Sequence, residues 1–329
     1  MLVVVIELLG ALVLVVVAAD SFTNAVEWID VKSKLTRGAS GAIVAAIGSS
    51  LPETIVAVIA LVMLGDPRSQ AIGIGAVIGA PFMLATVVFS LIGVIALVRR
   101  RRQAEPALAI PVAPTIFGGT LFFATFALAL GASFVRGHAM HVAASVVVLS
   151  AYALYLYYHL RAQDQAGEEE PPALRIAPAS RNPSMALIVL QLGIGLALSV
   201  VASRLFIASL WQASFVFGVS PFVISLFLSP IATELPEASS VVLWMRRKED
   251  NLAMGNVLGA MMFQTSIACA IAMVATPWQL GPGAYAAGVA SLAAVAALVI
   301  TTLVRQKVEP LTLACAGLLY LGYIAFTTL

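Results

Sequence analysis

The chain has 329 residues, of which 61% are hydrophobic and only 10% are charged, and its mean hydropathy is +1.02. Soluble domains are about 45–50% apolar and about a quarter charged, so this composition excludes a soluble globular protein and indicates a polytopic membrane protein. The 18 basic and 16 acidic residues nearly balance, and the two cysteines lie in apolar stretches without the spacing of a disulfide framework or a metal site.

Apolar stretches of spanning length predict an all-α membrane protein. The first stretch lacks a basic segment and a small-residue cleavage site, so it is interpreted as a span and not as a removable signal peptide. The ten predicted transmembrane helices cover residues 2–29, 39–64, 70–98, 112–133, 138–158, 185–210, 214–245, 251–275, 283–304 and 309–328.

The basic residues give the predicted orientation of these helices. Loops 1, 3, 5, 7 and 9 contain 15 of the 18 lysines and arginines. Because loops rich in Lys and Arg stay in the cytoplasm, these odd-numbered loops are predicted to be cytoplasmic and both termini to lie outside. The expected location is a prokaryotic plasma membrane.

The fifth loop, residues 159–184, is the one long polar connection, with three consecutive glutamates at 168–170. It is predicted to be a cytoplasmic linker between a first five-helix repeat, residues 1–158, and a second, residues 185–329. An odd number of helices per repeat makes the second repeat enter the membrane in the opposite sense, which predicts two inverted repeats.

A Leu-Pro-Glu triplet occurs twice, at residues 51–53 and 235–237, each time within a predicted span. A carboxylate inside the membrane is costly and marks an ion pathway, while a proline removes one N–H and frees a carbonyl. The helices are therefore predicted to open near Ser49 and near Thr233, and Glu53 and Glu237 to meet at mid-membrane. Carboxylate and carbonyl oxygens suit a hard cation such as Ca²⁺.

Each triplet is followed by a helix with two glycines four residues apart, Gly75 and Gly79 in the first half and Gly255 and Gly259 in the second. Glycines at this spacing are an ordinary device for close packing of membrane helices. Coupled to the duplicated Pro-Glu segments, they predict that these helices approach a shared centre.

Taken together, the Gly-Ser-Ser-Leu-Pro-Glu segment at 48–53, its partner at 232–237 and the glycine-rich helices resemble the two α-repeats of the calcium/cation antiporter superfamily, which includes sodium/calcium exchanger-like proteins. The resemblance implies that Glu53 and Glu237 bridge the cation, that Ser49 and Thr233 offer backbone carbonyls, and that Ser50 offers a hydroxyl. It also implies that the spans at 2–29 and 185–210 slide against a core made from the Pro-Glu and glycine-rich helices during alternating access.

Three residues depart from the sodium/calcium pattern. Glu234 replaces a serine and adds a third carboxylate, Leu84 cannot coordinate an ion, and Gln264 offers one neutral carbonyl. Three close carboxylates do not all ionise in a low-dielectric site. The interpretation is exchange of Ca²⁺, or a similar hard cation, for H⁺ or Na⁺, with H⁺ favoured.

Two other transport functions stay open, a cation channel and an antiporter for monovalent cations alone. An enzyme is not expected, because the chain has no intramembrane His-Glu-x-x-His and no Ser-His pair at depth. Cation substrates and the lipid bilayer are the expected partners of a functional monomer, with no permanently bound cofactor, nucleotide or nucleic acid. Asp20 and Glu27 are expected to pair with Lys32 or Lys34, or to contact the ion.

Overall fold

The computed structural model describes residues 1–33, 50, 54–103, 108–161 and 172–328, and this part of the chain is helical, without strands. Ten helices follow one another along it. They are α1 (Leu2–Ser33), α2 (Thr54–Leu64), α3 (67–103), α4 (Val112–Ala132), α5 (His138–Arg161), α6 (Met185–Phe217), α7 (Pro221–Arg247), α8 (Asp250–Ala275), α9 (Pro282–Arg305) and α10 (Pro310–Thr328).

Eight of these helices are long and apolar enough to cross a membrane, and α2 and the segment Pro221–Leu235 of α7 are shorter apolar helices. The all-helical fold is therefore confirmed. Two neighbouring predicted boundaries are wrong. α6 continues past residue 210 to Phe217 and ends at Gly218, whose φ of 67° is left-handed, and α7 begins at Pro221 and not at 214. The segment 211–213 contains no helix breaker, whereas glycine adopts the left-handed conformation without a steric penalty.

The turn between α2 and α3 shows how local sequence sets a helix start. Gly65 ends α2 with a φ of 64°. The Asp66 side chain then caps α3 by accepting from the backbone N–H of Arg68 at 3.0 Å and of Ser69 at 3.2 Å. The hydrogen bond from the Ser69 hydroxyl holds the pKa of Asp66 below its usual value, as expected for a carboxylate that accepts several donors at a helix N-terminus.

Helices α3 and α7 cross with their backbones in close approach. A Cβ at Gly75 would lie 2.6 Å from the Phe222 carbonyl oxygen, and one at Gly79 would overlap the Leu226 carbonyl oxygen and lie 2.9 Å from the Pro230 ring. The first glycine pair therefore packs as predicted. No atom of the described residues lies within 4 Å of a Cβ added at Gly255. The equivalent partner segment, residues 38–42, lies outside the described residues, so the close approach of the second glycine pair stays a prediction.

Two π-helical segments interrupt α3 and α8 at equivalent positions. They cover Leu84–Val88 and Gln264–Ala268, and each begins five residues after the second glycine of its pair, Gly79 or Gly259. Such single-turn π segments are frequent at functional sites, because they rotate the following side chains relative to the preceding turn. Their matched positions support the internal repeat.

Helices α1 and α6, the first helix of each proposed half, run antiparallel. Near one end, Trp28 shares a buried cluster with Ile188. Seven residues further along α6, a Cβ at Gly195 would lie 3.2 Å from the Cβ of Phe22, six residues earlier on α1. Residue numbers thus rise on one helix as they fall on the other, which is the relation that an inverted repeat requires of its first helices.

Candidate functional site

The polar residues at the second Leu-Pro-Glu triplet lie on the buried side of α7. Thr233, Glu234 and Glu237 are each at most 2% exposed. The prediction that this helix opens near Thr233 is wrong, since α7 is one continuous α-helix from Pro221 to Arg247. Pro236 takes away only the N–H that the Ala232 carbonyl would accept, and membrane helices tolerate proline where neighbouring turns hold the geometry. The Ala232 carbonyl is therefore freed without a break in α7.

Glu234 is held by a residue of α8. The Nε2 of Gln264 donates a hydrogen bond to Oε1 of Glu234 at 2.7 Å, and this pair is buried from solvent. Gln264 is the first residue of the π-helical segment of α8, so the irregular turn places its amide opposite α7. At the equivalent position of α3 the chain has Leu84, which is fully buried and has no polar group to offer.

The first Leu-Pro-Glu segment is described only in part. Ser50 is helical and fully buried, and its carbonyl accepts from the Thr54 hydroxyl at 3.2 Å. Its own Oγ has no hydrogen-bond partner among the described residues. The other predicted ligands of this segment, Ser49 and Glu53, lie outside the described residues, so their place relative to Glu237 stays a prediction.

A line of buried hydroxyls on α7 was not predicted from the Leu-Pro-Glu motif. Ser225, Ser229 and Thr233 precede Glu237 at steps of four residues and are each at most 2% exposed. The Ser225 and Ser229 Oγ atoms lie 2.9 Å apart, and Ser225 also donates to the carbonyl of Ile72 on α3 at 2.7 Å. Side chains four residues apart lie on one helix face, so the four-residue spacing in the sequence could have predicted this line of hydroxyls.

The buried hydroxyls of the two π-helical segments divide into two groups, those that bond to a helix carbonyl and one that does not. Thr86 and Thr265 do so, with Thr265 Oγ1 at 2.9 Å from the Met261 carbonyl. Ser266, equivalent to Thr86 in the repeat, does not, since its buried Oγ has no hydrogen-bond partner within the described part of the chain. Ser266 lies two residues after Gln264 in the π-helical segment of α8 and is fully buried.

Asp20 has a different partner from the ones predicted. It forms a two-pronged ion pair with Arg175 of the linker, with distances of 2.8 and 2.9 Å between the guanidinium nitrogens and the carboxylate oxygens. Lys32 instead hydrogen-bonds to Asn182, and Lys34 lies outside the described residues. Asp20 therefore belongs to the contact between α1 and the linker and not to the carboxylates of α7.

The described part of the two repeat motifs thus contains the buried carboxylates of Glu234 and Glu237 and the amide of Gln264. It also contains two buried hydroxyls, those of Ser50 and Ser266, that have no hydrogen-bond partner among the described residues. These are oxygen donors, which hard cations prefer. No group of three or more His, Cys, Asp or Glu side chains that could hold a metal ion occurs among the residues that the structure describes. A complete cation site would need donors from the first repeat.

Comparison with known proteins gives the family. The family model described as "Sodium/calcium exchanger protein" matches residues 3–161 and 187–329. The inner membrane protein YrbG of Escherichia coli (strain K12) is 26% identical over 289 residues, which is 84% of this chain and 82% of that protein.

Two solved structures have a similar fold. The H⁺/Ca²⁺ exchanger CAX has a TM-score of 0.74 at 17% identity, over 98% of this chain and 82% of that one. The sodium-calcium exchanger NCX_Mj has a TM-score of 0.61 at 21% identity, over 98% of both chains. With ten helices in the described residues and paired acidic segments, and with a family model that matches nearly the whole chain, this protein belongs to the sodium/calcium exchanger family of membrane transporters.

Proposed function

We propose that this protein exchanges Ca²⁺, or a similar hard cation, for H⁺ by alternating access. In this proposal Glu53 and Glu237 bind the cation, with oxygens from Ser49, Ser50 and Thr233, and Glu234 is the group that takes up and releases the proton. The observation that carries the proposal is the buried hydrogen bond between Gln264 and Glu234. Glu234 lies three residues before Glu237.

Like charges at this spacing support proton coupling. Residues three apart share a helix face, so two ionised carboxylates at Glu234 and Glu237 would repel each other away from water. A divalent cation offsets that repulsion, whereas without it the lowest-energy state has a proton on one carboxylate. Cation binding and proton binding then oppose each other, which is the thermodynamic requirement for exchange.

Gln264 is suited to both states of Glu234. Its Nε2 donates to an ionised carboxylate, and rotation of the amide by half a turn would present Oε1 to a protonated one, because an amide carries both donors and an acceptor. In the described residues Gln264 Oε1 has no other hydrogen-bond partner. A buried polar group that loses its partner costs about 1–3 kcal/mol, so an amide that serves both states lowers the cost of proton transfer.

We also infer that residues 1–158 and 185–329 act as two inverted halves joined by a cytoplasmic linker, with both termini outside and with a monomer as the functional unit. The antiparallel packing of α1 and α6 and the equivalent π-helical segments support the repeat. The 15 to 3 distribution of basic residues supports the orientation.

The test of the coupling role is Glu234→Ser, measured as Ca²⁺ uptake into liposomes that contain the purified protein, with pH and Na⁺ gradients imposed separately. Proton-driven uptake is expected to fall about tenfold to 100-fold, in proportion to the 1.5–3 kcal/mol of a hydrogen bond to a charged group. Ca²⁺ binding, measured by isothermal titration, is expected to change far less. Gln264→Leu, which copies Leu84, should reduce proton-driven uptake in the same direction.

Glu249→Gln is the matched control, because Glu249 precedes α8 and is partly exposed. Proton-driven uptake that is unchanged in Glu234→Ser would reject H⁺ coupling through this residue and favour Na⁺. A Ca²⁺ flux that does not depend on H⁺ or Na⁺ on the opposite side of the membrane, and that does not saturate with Ca²⁺ concentration, would instead indicate a channel.

A further inference from the structure

The end of the linker docks on the first helix of each half through two buried amides. Gln191 of α6 donates from Nε2 to the Ser21 carbonyl and to Oδ1 of Asn24 on α1, both at 2.9 Å. Asn24 donates in turn to the carbonyl of Pro172 at 3.0 Å. Gln191 is fully buried and Asn24 is 2% exposed, so these bonds form away from water.

The linker backbone completes the network. The N–H of Ile176 donates to Oε1 of Gln191 at 3.0 Å, and the N–H of Arg175 donates to Oδ1 of Asn24 at 3.3 Å. The indole of Trp28 also donates to the Pro172 carbonyl, at 2.9 Å. Each oxygen and amide nitrogen of the two side chains therefore has a partner, and the linker is held through its backbone.

An apolar contact seals the same junction. Leu174 is fully buried in a cluster with Trp28 of α1 and Ile188 of α6. Residues 172–177 of the linker, called the clasp, carry this leucine and the three backbone groups that bond to the helices: the carbonyl of Pro172 and the N–H groups of Arg175 and Ile176. Because one short segment touches both helices, it resists movement of α1 relative to α6.

The buried amides matter more to the clasp than its ion pair. The side chains of Arg175 and Asp20 are 43% and 51% exposed, and exposed ion pairs contribute little because water and salt screen them. A buried amide that loses its partners keeps its full desolvation cost. Asn24, with bonds to Pro172, Arg175 and Gln191, is therefore the residue on which docking depends most.

We propose that the clasp is part of the transport machinery: by docking on Asn24 and Gln191, it fastens α1 to α6 so that the two helices move as one body against the rest of the protein. Asn24 and Gln191 are then positioning residues that contact neither the transported cation nor the proton. This inference rests on the proposed exchange by alternating access, but the docking itself is measurable without transport.

The docking test uses Leu174→Cys in a protein whose Cys269 and Cys315 are replaced by alanine. A membrane-impermeant maleimide, applied to detergent-solubilised protein, should label this cysteine slowly, because the position is buried. Adding Asn24→Ala should raise the labelling rate at least tenfold, whereas Asn251→Ala, at an exposed asparagine of α8, should not. Rapid labelling already without Asn24→Ala would overturn the docking. The protection should persist in Glu237→Gln, which separates a failure of this inference from a failure of the proposed function.

The functional test restores the lost fastening covalently. In the cysteine-free background with leucine at 174, Asn24→Ala should lower exchange at least tenfold while Ca²⁺ binding stays within twofold. Phe22→Cys and Gly195→Cys are then added, since a Cβ at residue 195 lies 3.2 Å from that of residue 22 and 3.0 Å from its backbone N and Cα. A separation of the two helices by a few tenths of an ångström brings the Cβ atoms to the 3.5–4.5 Å of a disulfide. Oxidation should return exchange to at least half the level of the same cysteine pair with Asn24 intact, and reduction should abolish the rescue.

Two results would reject the functional part. Full exchange in reduced Asn24→Ala would show that fastening is not needed. Exchange that stays low after complete oxidation, in a protein whose cysteine pair with intact Asn24 is active, would show that Asn24 acts otherwise than by joining the helices. Gel-filtration profiles equal to the parent protein would show that each variant is folded.

Discussion

Glu237→Gln is expected to abolish exchange while leaving the protein folded, and Glu53→Gln is expected to do the same. Glutamine keeps the size of glutamate but removes the formal charge that would balance a divalent cation. Loss of one partner from a buried charge pair costs about 3–5 kcal/mol, which corresponds to a fall of about 100-fold to about 4,000-fold in cation affinity. The measurement is Ca²⁺ uptake into proteoliposomes together with Ca²⁺ binding by isothermal titration.

Glu7→Gln is a useful comparison, since Glu7 lies on α1 and is exposed. Exchange in that variant should stay within about threefold of the parent protein, the range of an exposed charge worth less than 1 kcal/mol. Near-normal transport in both Glu53→Gln and Glu237→Gln would remove the central claim that the duplicated carboxylates bind the cation.

Gly79→Val is expected to destabilise the protein strongly and to eliminate transport with it. Its added Cβ meets the Leu226 backbone carbonyl and the Pro230 ring, and neither group can rotate away as a flexible side chain can. Overpacking of a core costs about 1–3 kcal/mol, and displacement of α7 would also move Glu234 and Glu237. The measurement is the thermal unfolding midpoint in detergent, followed by the folded fraction on gel filtration.

Gly193→Ala serves as the control, because no atom of the described residues lies within 4 Å of a Cβ at this position of α6. Alanine has the higher helix propensity, by about 1 kcal/mol, so the control should be as stable as the parent protein or slightly more stable. An unfolding midpoint of Gly79→Val equal to that of the parent protein would show that α3 and α7 do not cross as closely as described.

The two halves differ in the polar residues that they offer to the proposed site. The second half supplies Gln264 and the hydroxyls of Ser225 and Ser229, where the first half has Leu84, Gly41 and Ala45 at the equivalent positions. A repeat with identical halves would offer the same ligands to both sides of the membrane. The additional polar groups are consistent with a proton-binding group placed on the α7 side alone.

The sequence by itself determined the class of the protein and the approximate limits of most of the described helices, and it predicted the acidic residues of the proposed site. Those features follow from local physics: apolar length sets a span, a glycine or a capping residue sets its end, and a carboxylate in a span marks a polar interior. The duplicated Leu-Pro-Glu triplet also indicated the repeat, because a second copy of a costly motif is informative on its own.

Only the tertiary structure decided which residues meet. Pro236 was expected to open α7, but the packed surroundings keep that helix continuous. Asp20 was expected to pair within its own segment, yet its partner is Arg175, 155 residues away. Likewise, the bond between Gln264 and Glu234 depends on a π-helical turn in one helix facing another. Contacts of this kind arise from the packing of distant elements, for which periodicity and spacing carry no signal.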